Sequence, residues 1–246
     1  MYLPEGVALV DLILLSAASF MGSLLTAALG VGGGAFLITV MAGLVPPLAL
    51  IPLHGVVQLG SNASRAWLSR SHLELPKLGL FSLGALGAAL GGVWMIGLLS
   101  TDYIPLLIAL FILWITWMPM PEIGLGRTPL GLISGGLITT LASFLVGASG
   151  PLVSAWLSKD AENKWRYTAL FSSAMTFQHL LKILVFGLVG FAFLEWVFVL
   201  FCMIVLGYLG TKVGLALLGR LPEARFRTVY QWFLTLLAVR LLLGYV

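Results

Sequence analysis

Two short glycine-rich segments interrupt long apolar runs in this chain of 246 residues. The first covers residues 30–34 (GVGGG) and the second residues 147–151 (GASGP), and a short apolar stretch follows each one, over 35–45 and 151–158. Glycine lets a backbone leave helical geometry and approach a ligand closely. A helix that begins at such a break presents unpaired N–H groups and the positive end of its dipole. Two opposed helix starts of this kind would form a site for a small anion.

We expect the backbone amides of both breaks to bind that anion, with the Ser149 hydroxyl as a further donor. Pro151 suits the first turn of a helix. Tight packing of small residues is the alternative role of these glycines, and it stays open. The candidate binding residues are Gly32, Gly33, Gly34, Asn62, Ser149, Gly150, Gln178, His179 and Lys182.

Polar side chains recur at spacings of three and four along the apolar run that follows each short stretch. This spacing places them on one face of a helix. Because polar groups are costly inside a bilayer, each face should point at a polar interior. The first stripe contains His54, Gln58, Ser61, Asn62 and Arg65, and the second contains Thr168, Ser172, Thr176, His179 and Lys182.

Four members of these stripes are ionisable and have alternative roles. Lys182 has no acidic residue close in sequence, so it could contact an anionic substrate or extend to the outer interface. Arg65, near the cytoplasmic end of its helix, is interpreted as a topology anchor. His54 and His179 could relay protons or make ordinary interhelical hydrogen bonds.

The composition requires a lipid environment for the helices that carry these residues. Apolar residues make up 60% of the chain and charged residues 9%, whereas a soluble domain has about 25% charged residues. A soluble domain and a disordered chain are both excluded. The single cysteine, Cys202, excludes a disulfide framework, and the three scattered histidines predict no metal site. No organic cofactor is implied, and the basic residues form no continuous surface for nucleic acid.

The apolar runs predict an all-α membrane protein with eight long transmembrane helices and two short half-helices after the glycine-rich breaks. Crossing about 30 Å of hydrocarbon takes roughly 20 residues, which the two short stretches lack. No alternating pattern indicates a transmembrane barrel. The long candidates are 8–29, 48–68, 78–99, 103–120, 129–146, 167–189, 194–214 and 228–245.

The two breaks are 117 residues apart, and this offset aligns other features without a gap. It places Ser61-Asn62 on Gln178-His179 and Arg65 on Lys182. The agreement predicts a duplication within one membrane domain. The first repeat would cover residues 1–117 and the second 118–246.

The distribution of Lys and Arg predicts that the two repeats are inverted. If only the eight long helices cross, the basic residues divide five against seven between the faces. If each short stretch also reverses the chain, eleven lie on one face and only Arg240 on the other, with Lys182 inside the membrane. The positive-inside rule favours the second topology. Both termini then lie outside, and the first segment, which lacks the basic start of a signal peptide, is retained.

Over almost its whole length, the chain resembles the sulfite exporter family, also called TauE/SafE-like transporters. The resemblance rests on residues 30–34, the pair Pro46-Pro47 and the small polar segment 60–64 (GSNAS). It implies a multi-pass protein of the bacterial plasma membrane that moves small sulfur-containing anions such as sulfite or sulfonates. The second break departs from the family's usual glycine run, which affects the choice of substrate more than the transport function.

The sequence therefore predicts a secondary transporter, an exporter of small anions rather than an enzyme, that works by rocking one half against the other. The alternative is an intramembrane serine protease of the rhomboid type, in which Ser149 is the nucleophile and His179 the base. A passive channel is a third reading. Coupling to protons or another ion, and assembly into a homo-oligomer, are left open.

Overall fold

The computed structural model contains ten α-helices joined by turns and short 3₁₀ segments, and no strand occurs in the ranges it describes. Those ranges are residues 3–4, 6–30, 32–97, 101–118, 125–157, 164–218 and 223–244. The helices are α1 (Leu9–Leu29), α2 (Gly33–Met41), α3 (Pro47–Ser69), α4 (Leu75–Gly97), α5 (Ile104–Trp117), α6 (Pro129–Val146), α7 (Gly150–Leu157), α8 (Lys164–Leu188), α9 (Val197–Ala216) and α10 (Glu223–Leu243).

The all-α prediction is confirmed for the described part of the chain. Eight longer helices lie where the apolar runs predict them, and the short helices α2 and α7 begin at the two glycine-rich breaks. The largest difference is α10, which begins at Glu223, five residues before the apolar run at 228. Most of the predicted cytoplasmic turn 159–166 lies outside the described residues.

Five segments of the described chain are long and apolar enough to span a bilayer. They are Leu9–Leu29, Leu75–Gly97, Pro129–Val146, Lys164–Leu188 and Phe193–Ala216. The 23 residues of α3 correspond to about 35 Å of helix, so length does not keep it from this group. Its polar stripe lowers its hydropathy instead, which is typical of a helix that faces a polar interior.

The distribution of side chains is that of a membrane protein, with apolar groups outside and polar groups inside. On α4, the side chains of Leu90 and Trp94 are 80% and 81% exposed. Lys182 and His179, by contrast, are fully buried at the centre. Exposed apolar surface on this scale requires lipid rather than water as its neighbour. The chain is a multi-pass membrane protein.

Both short helices fold back along the helix that precedes them. Gly22 of α1 lies against Gly33 and Leu37 of α2, although only residues 30–32 connect the two helices. In the second half, the Trp156 indole near the end of α7 donates a 2.8 Å hydrogen bond to the Gly131 carbonyl near the start of α6. Each break therefore reverses the direction of the chain.

Glycines bring the long helices into close contact in two parallel pairs. In the pair α1 and α9, Gly210 lies against the backbone of Phe20, and the Ser19 hydroxyl donates a 2.6 Å hydrogen bond to the Met203 carbonyl. In the pair α4 and α6, Gly84 lies against the backbone of Ile133. Small residues allow this backbone approach, which supplies much of the packing energy between membrane helices.

The helices α3 and α8 pack antiparallel at the centre. Gly55, early in α3, lies against the Lys182 side chain, late in α8. Arg65, late in α3, lies above the ring of Phe171, early in α8. These two helices carry the predicted polar stripes, so the fold brings the stripes together.

The close α4–α6 contact predicts a sharp difference between two substitutions on α4. A Cβ at Gly84 would overlap the Ile133 carbonyl, whereas a Cβ at Gly91 would meet no atom within 4 Å. Gly84→Ala should destabilise the protein by about 1–3 kcal/mol through overpacking, while Gly91→Ala should leave its stability unchanged or slightly raised. Thermal unfolding in detergent measures both variants, and equal melting temperatures would refute the packing described here.

Candidate functional site

Both breaks adopt backbone conformations that favour glycine. Gly30 and Gly32 have φ values of 92° and 108°, and Gly147 has a φ value of 74°. These angles lie in the left-handed half of the Ramachandran plot, where a Cβ is strained. They turn the chain from α1 into α2 and from α6 into α7 within a few residues. Glycine is therefore required at these turns by the backbone itself.

A small cavity of about 20 Å³ lies where the two breaks meet the polar faces of α3 and α8. We call it the central cavity. It is lined by Thr26, Gly32, Gly34, Ala35, His54, Gln58, Asn62, Ala148, Gly150, Pro151, Phe171, Met175 and His179. Residues of both halves of the chain thus surround one space. Its volume is far below that of a typical ligand pocket.

The central cavity brings together five of the nine candidate binding residues. These five are Gly32, Gly34, Asn62, Gly150 and His179. The other four, Gly33, Ser149, Gln178 and Lys182, do not line it in this structure. Gly33 packs against α1, where a Cβ would overlap the Gly22 carbonyl and the Thr26 hydroxyl. In this structure Gly33 therefore allows close helix packing, which was the alternative to anion binding for these glycines.

Ser149 and Gln178 belong to a buried hydrogen-bond network behind the cavity. The Ser149 hydroxyl donates to the Gln178 side-chain oxygen at 2.9 Å. The Gln178 amide nitrogen donates to the hydroxyls of Thr139 and Thr140 at 2.6 and 2.8 Å. This network joins the second break to α6 and α8, so it fixes the start of α7 rather than facing a ligand.

Lys182 lies beside the second break. Its side chain is fully buried, and its Nζ donates a 2.7 Å hydrogen bond to the Gly147 carbonyl. The stem passes Gly55, where an added Cβ would come within 2.9 Å of the Lys182 Cδ. Lys182 therefore does not extend to a solvated interface, and only a residue as small as glycine at position 55 leaves room for it.

Arg65 is also buried, with 2% of its surface exposed. Its Nη2 donates to the Asn62 side-chain oxygen, and its guanidinium lies 5.2 Å from the centre of the Phe171 ring. Asn62 and Phe171 both line the central cavity. The interpretation of Arg65 as an anchor at a solvated face is wrong, because the side chain points into the protein. Arg70, one turn later, is exposed and takes that position.

No carboxylate neutralises these two buried cations within the part of the chain whose side chains the structure describes. The four described carboxylates, Asp11, Glu74, Asp102 and Glu195, are all partly or fully exposed. The ion pair found among the described residues joins Lys77 to Glu74 at the surface. Burying a charge without a partner costs several kcal/mol. Two buried basic side chains therefore lie near the central cavity, and no described carboxylate accompanies them.

Several polar atoms around the cavity have no hydrogen-bond partner among the described residues. They are Nδ1 of His54, Nε2 of Gln58, Nε of Arg65 and both ring nitrogens of His179. A buried polar group without a partner is costly and requires an explanation. Two of these atoms, in Gln58 and Arg65, can only donate. A bound group that accepts hydrogen bonds would satisfy them.

The sequence indicated some of these cavity residues without singling them out. His54 and Gln58 lie on the same helical stripe as Asn62, at intervals of four residues, and the structure places all three at the cavity. The spacing alone did not distinguish His54 and Gln58 from the other polar residues of the stripe. Nothing in the sequence pointed to Thr26 and Met175. They line the cavity because of the orientation of α1 and α8 about their own axes.

Ser149 and His179 do not form the catalytic pair that the alternative of a serine protease requires. The Ser149 hydroxyl donates to Gln178, and neither ring nitrogen of His179 has a hydrogen-bond partner among the described residues. A serine nucleophile needs its base within hydrogen-bond reach. The structure therefore offers no support for a serine protease.

A comparison with known protein families identifies the family to which the chain belongs. Residues 15–241 match the family model described as Sulfite exporter TauE/SafE. No curated protein and no solved structure matched the chain. Since the match covers nearly the whole sequence, the chain belongs to the TauE/SafE sulfite exporter family of membrane transporters.

Proposed function

We propose that the protein carries a small sulfur oxyanion, such as sulfite, across the membrane through the central cavity. One observation supports the site above all others: the cavity lies between two buried cations, Arg65 and Lys182, and no described carboxylate balances them. An anion would supply the missing negative charge and would accept hydrogen bonds from the unpaired donors. The choice of sulfur rests on the family.

The anion would be held by donors from both halves. The starts of α2 and α7, where Gly34 and Gly150 line the cavity, would present amide groups and the positive ends of their dipoles to it. The Gln58 amide nitrogen is free to donate from α3. Arg65 and Lys182 would add their charge through small side-chain movements from Asn62 and the Gly147 carbonyl, their present partners.

The small volume of the cavity indicates a closed state of an alternating-access carrier. At about 20 Å³ it must widen before an oxyanion enters. Tyr167 and Tyr230 cover the first break: a Cβ at Gly30 would meet the Tyr167 ring at 3.2 Å, and the Tyr230 hydroxyl donates to the Gly32 carbonyl at 2.7 Å. Movement of these rings would open one side.

A wider cavity of about 470 Å³ lies at the opposite end of α2. Its lining includes Gly43, Asp102 and Arg240. The nine residues of α2 separate it from the central cavity by about 14 Å. In the predicted topology this is the outer face. We propose that the anion leaves through it and that Arg240 attracts the anion there.

The packing supports two inverted repeats, α1–α5 and α6–α10. Exchanging the repeats turns the parallel pair α1/α9 into the parallel pair α6/α4. The exchange replaces α3 by α8 and α8 by α3, so this pair maps onto itself. The two helices of the pair are antiparallel. A two-fold axis perpendicular to the helices produces this pattern. In a bilayer such an axis would lie in the membrane plane, so the repeats would be inverted and the site would lie near the midplane.

The same arrangement supports the charge-based topology. Because α2 and α7 reverse the chain, the remaining basic side chains collect on one face, with Arg240 on the other. Arg65 leaves this set, since it is buried. We place the protein in the bacterial plasma membrane with all eight long helices crossing and both termini outside.

Replacing either buried cation should weaken anion binding strongly. Charge-assisted hydrogen bonds contribute about 1.5–3 kcal/mol, and about 1.4 kcal/mol corresponds to a tenfold change in affinity. Lys182→Met and Arg65→Met should each raise the Kd for sulfite by about tenfold or more, measured by calorimetry on purified protein. The melting temperature should stay equal or rise, because a buried charge is removed.

Matched controls separate this effect from a general change of charge. Lys212 and Arg70 are exposed, so Lys212→Met and Arg70→Met should leave the Kd unchanged. Unaltered affinity in both cavity variants would refute the site. A lower melting temperature with unaltered affinity would instead give Lys182 and Arg65 a purely structural role.

The topology is tested with two reporters in bacterial cells. Alkaline phosphatase, which is active only outside the cytoplasm, should be active when fused after Val246. Green fluorescent protein, which fluoresces only inside, should fluoresce when inserted after Ala161 in the predicted cytoplasmic turn. The reverse pattern would contradict the proposed orientation and the direction assigned to the wide cavity.

A further inference from the structure

The His54 ring bridges the two glycine-rich breaks. Its Nε2–H donates a 2.9 Å hydrogen bond to the Gly34 carbonyl in the first break. Its Nδ1 faces the second break, where a Cβ at Gly147 would lie 3.7 Å away. This nitrogen has no hydrogen-bond partner among the described residues.

The bond to Gly34 determines what the other nitrogen can do. A neutral imidazole has one N–H donor and one acceptor lone pair. Because Nε2 carries the hydrogen that Gly34 accepts, Nδ1 of neutral His54 is an acceptor. An anion in the cavity is also an acceptor, so the two would repel. His54 can donate to the anion only after Nδ1 has taken up a proton.

His179 places a second imidazole at the same position. The two ring centroids are 6.0 Å apart in an edge-to-face arrangement, and both nitrogens of His179 are unpartnered in the described part of the chain. Two protonated rings this close would repel each other. Because of this repulsion, the pair is expected to hold at most one added proton.

The charges around the pair are all positive or neutral among the described side chains. On α3 and α8 the other charged groups are Arg65, Lys182 and, in the first turn of α8, Lys164 and Arg166, with the titratable Tyr167 beside them. The helices α2, α6 and α7 contribute no titratable side chain. Tyr230 of α10 donates to the Gly32 carbonyl, whereas Lys77 of α4 and Lys212 of α9 lie away from the cavity, the former paired with Glu74 and the latter exposed.

We infer that the His54–His179 pair takes up a proton when the anion binds, so that one proton crosses the membrane with each anion. The proton resides on Nδ1 of His54, which changes from acceptor to donor toward the anion. This inference rests on the proposed function. A proton and an anion in one cavity attract each other, so each must raise the affinity for the other.

Calorimetry in two buffers of different ionisation enthalpy counts the protons taken up with each sulfite. Ionisation of sulfite itself contributes equally to the wild type and a variant at the same pH, so their difference reports the histidine. The wild type should take up about one more proton per anion than His54→Gln, and its Kd should rise by up to about tenfold per pH unit on the alkaline side. Glutamine can still donate to the Gly34 carbonyl.

The matched control is His72→Gln. His72 is exposed and stacks on Trp165 at the surface, so its replacement should leave the proton count unchanged. Equal proton uptake by the wild type and His54→Gln would overturn the inference while leaving the anion site intact. Absence of sulfite binding to the wild type at every pH would overturn the proposed function itself.

Nitrogen NMR of the wild-type protein tests the protonation of His54 directly, even if His54→Gln no longer binds sulfite. The chain has three histidines, so ring-labelled protein gives a small set of signals, and the signals missing in His54→Gln and His72→Gln identify those residues. Added sulfite should move the Nδ1 resonance of His54 from the unprotonated to the protonated position and leave His72 unchanged. A His54 Nδ1 that stays unprotonated in the sulfite-saturated protein would refute the inference.

Discussion

The structure depends on the burial of two basic side chains at the centre of a membrane protein, where none of the carboxylates that the structure describes neutralises them. Arg65 and Lys182 are buried to 98% or more, and their hydrogen-bond acceptors among the described residues are neutral, the Asn62 side chain and the Gly147 carbonyl. Hydrogen bonds of this kind offset part of the cost of removing an ion from water. In the proposed function, an anion bound in the central cavity would compensate the remainder.

The rest of the fold makes that burial possible. The glycine-rich breaks reverse the chain inside the protein and expose carbonyl and amide groups at the centre. Gly55 leaves space for the stem of Lys182. The parallel contacts α1/α9 and α4/α6 hold the outer helices together through close backbone packing, and α3 and α8 can then face each other with their polar sides. Apolar side chains are left for the lipid.

Much of this architecture could be predicted because its causes are local. Runs of apolar residues define the helices, and clustered glycines mark where helices break. The lack of acidic neighbours around Lys182 identified it as an unusual charge. The predicted duplication matches Arg65 with Lys182, which are 117 residues apart, and both side chains are buried.

What the sequence did not reveal depends on how the helices rotate and pack. The position of Arg65 near the end of its apolar run predicts an anchor, but its side chain lies on the inward face of α3 and is buried. The glycine run predicts Gly33 as a ligand-binding residue, whereas in the structure Gly33 packs against α1.

The most direct test of the central claim varies the charge of the ligand while keeping its shape nearly constant. Sulfate, methanesulfonate and dimethyl sulfone have similar tetrahedral sulfur centres and carry two, one and no negative charges. Each is titrated against sulfite bound to the purified wild-type protein. The account predicts that competition falls in that order and that dimethyl sulfone does not displace sulfite. Equal displacement by all three would show that the buried cations do not select the ligand.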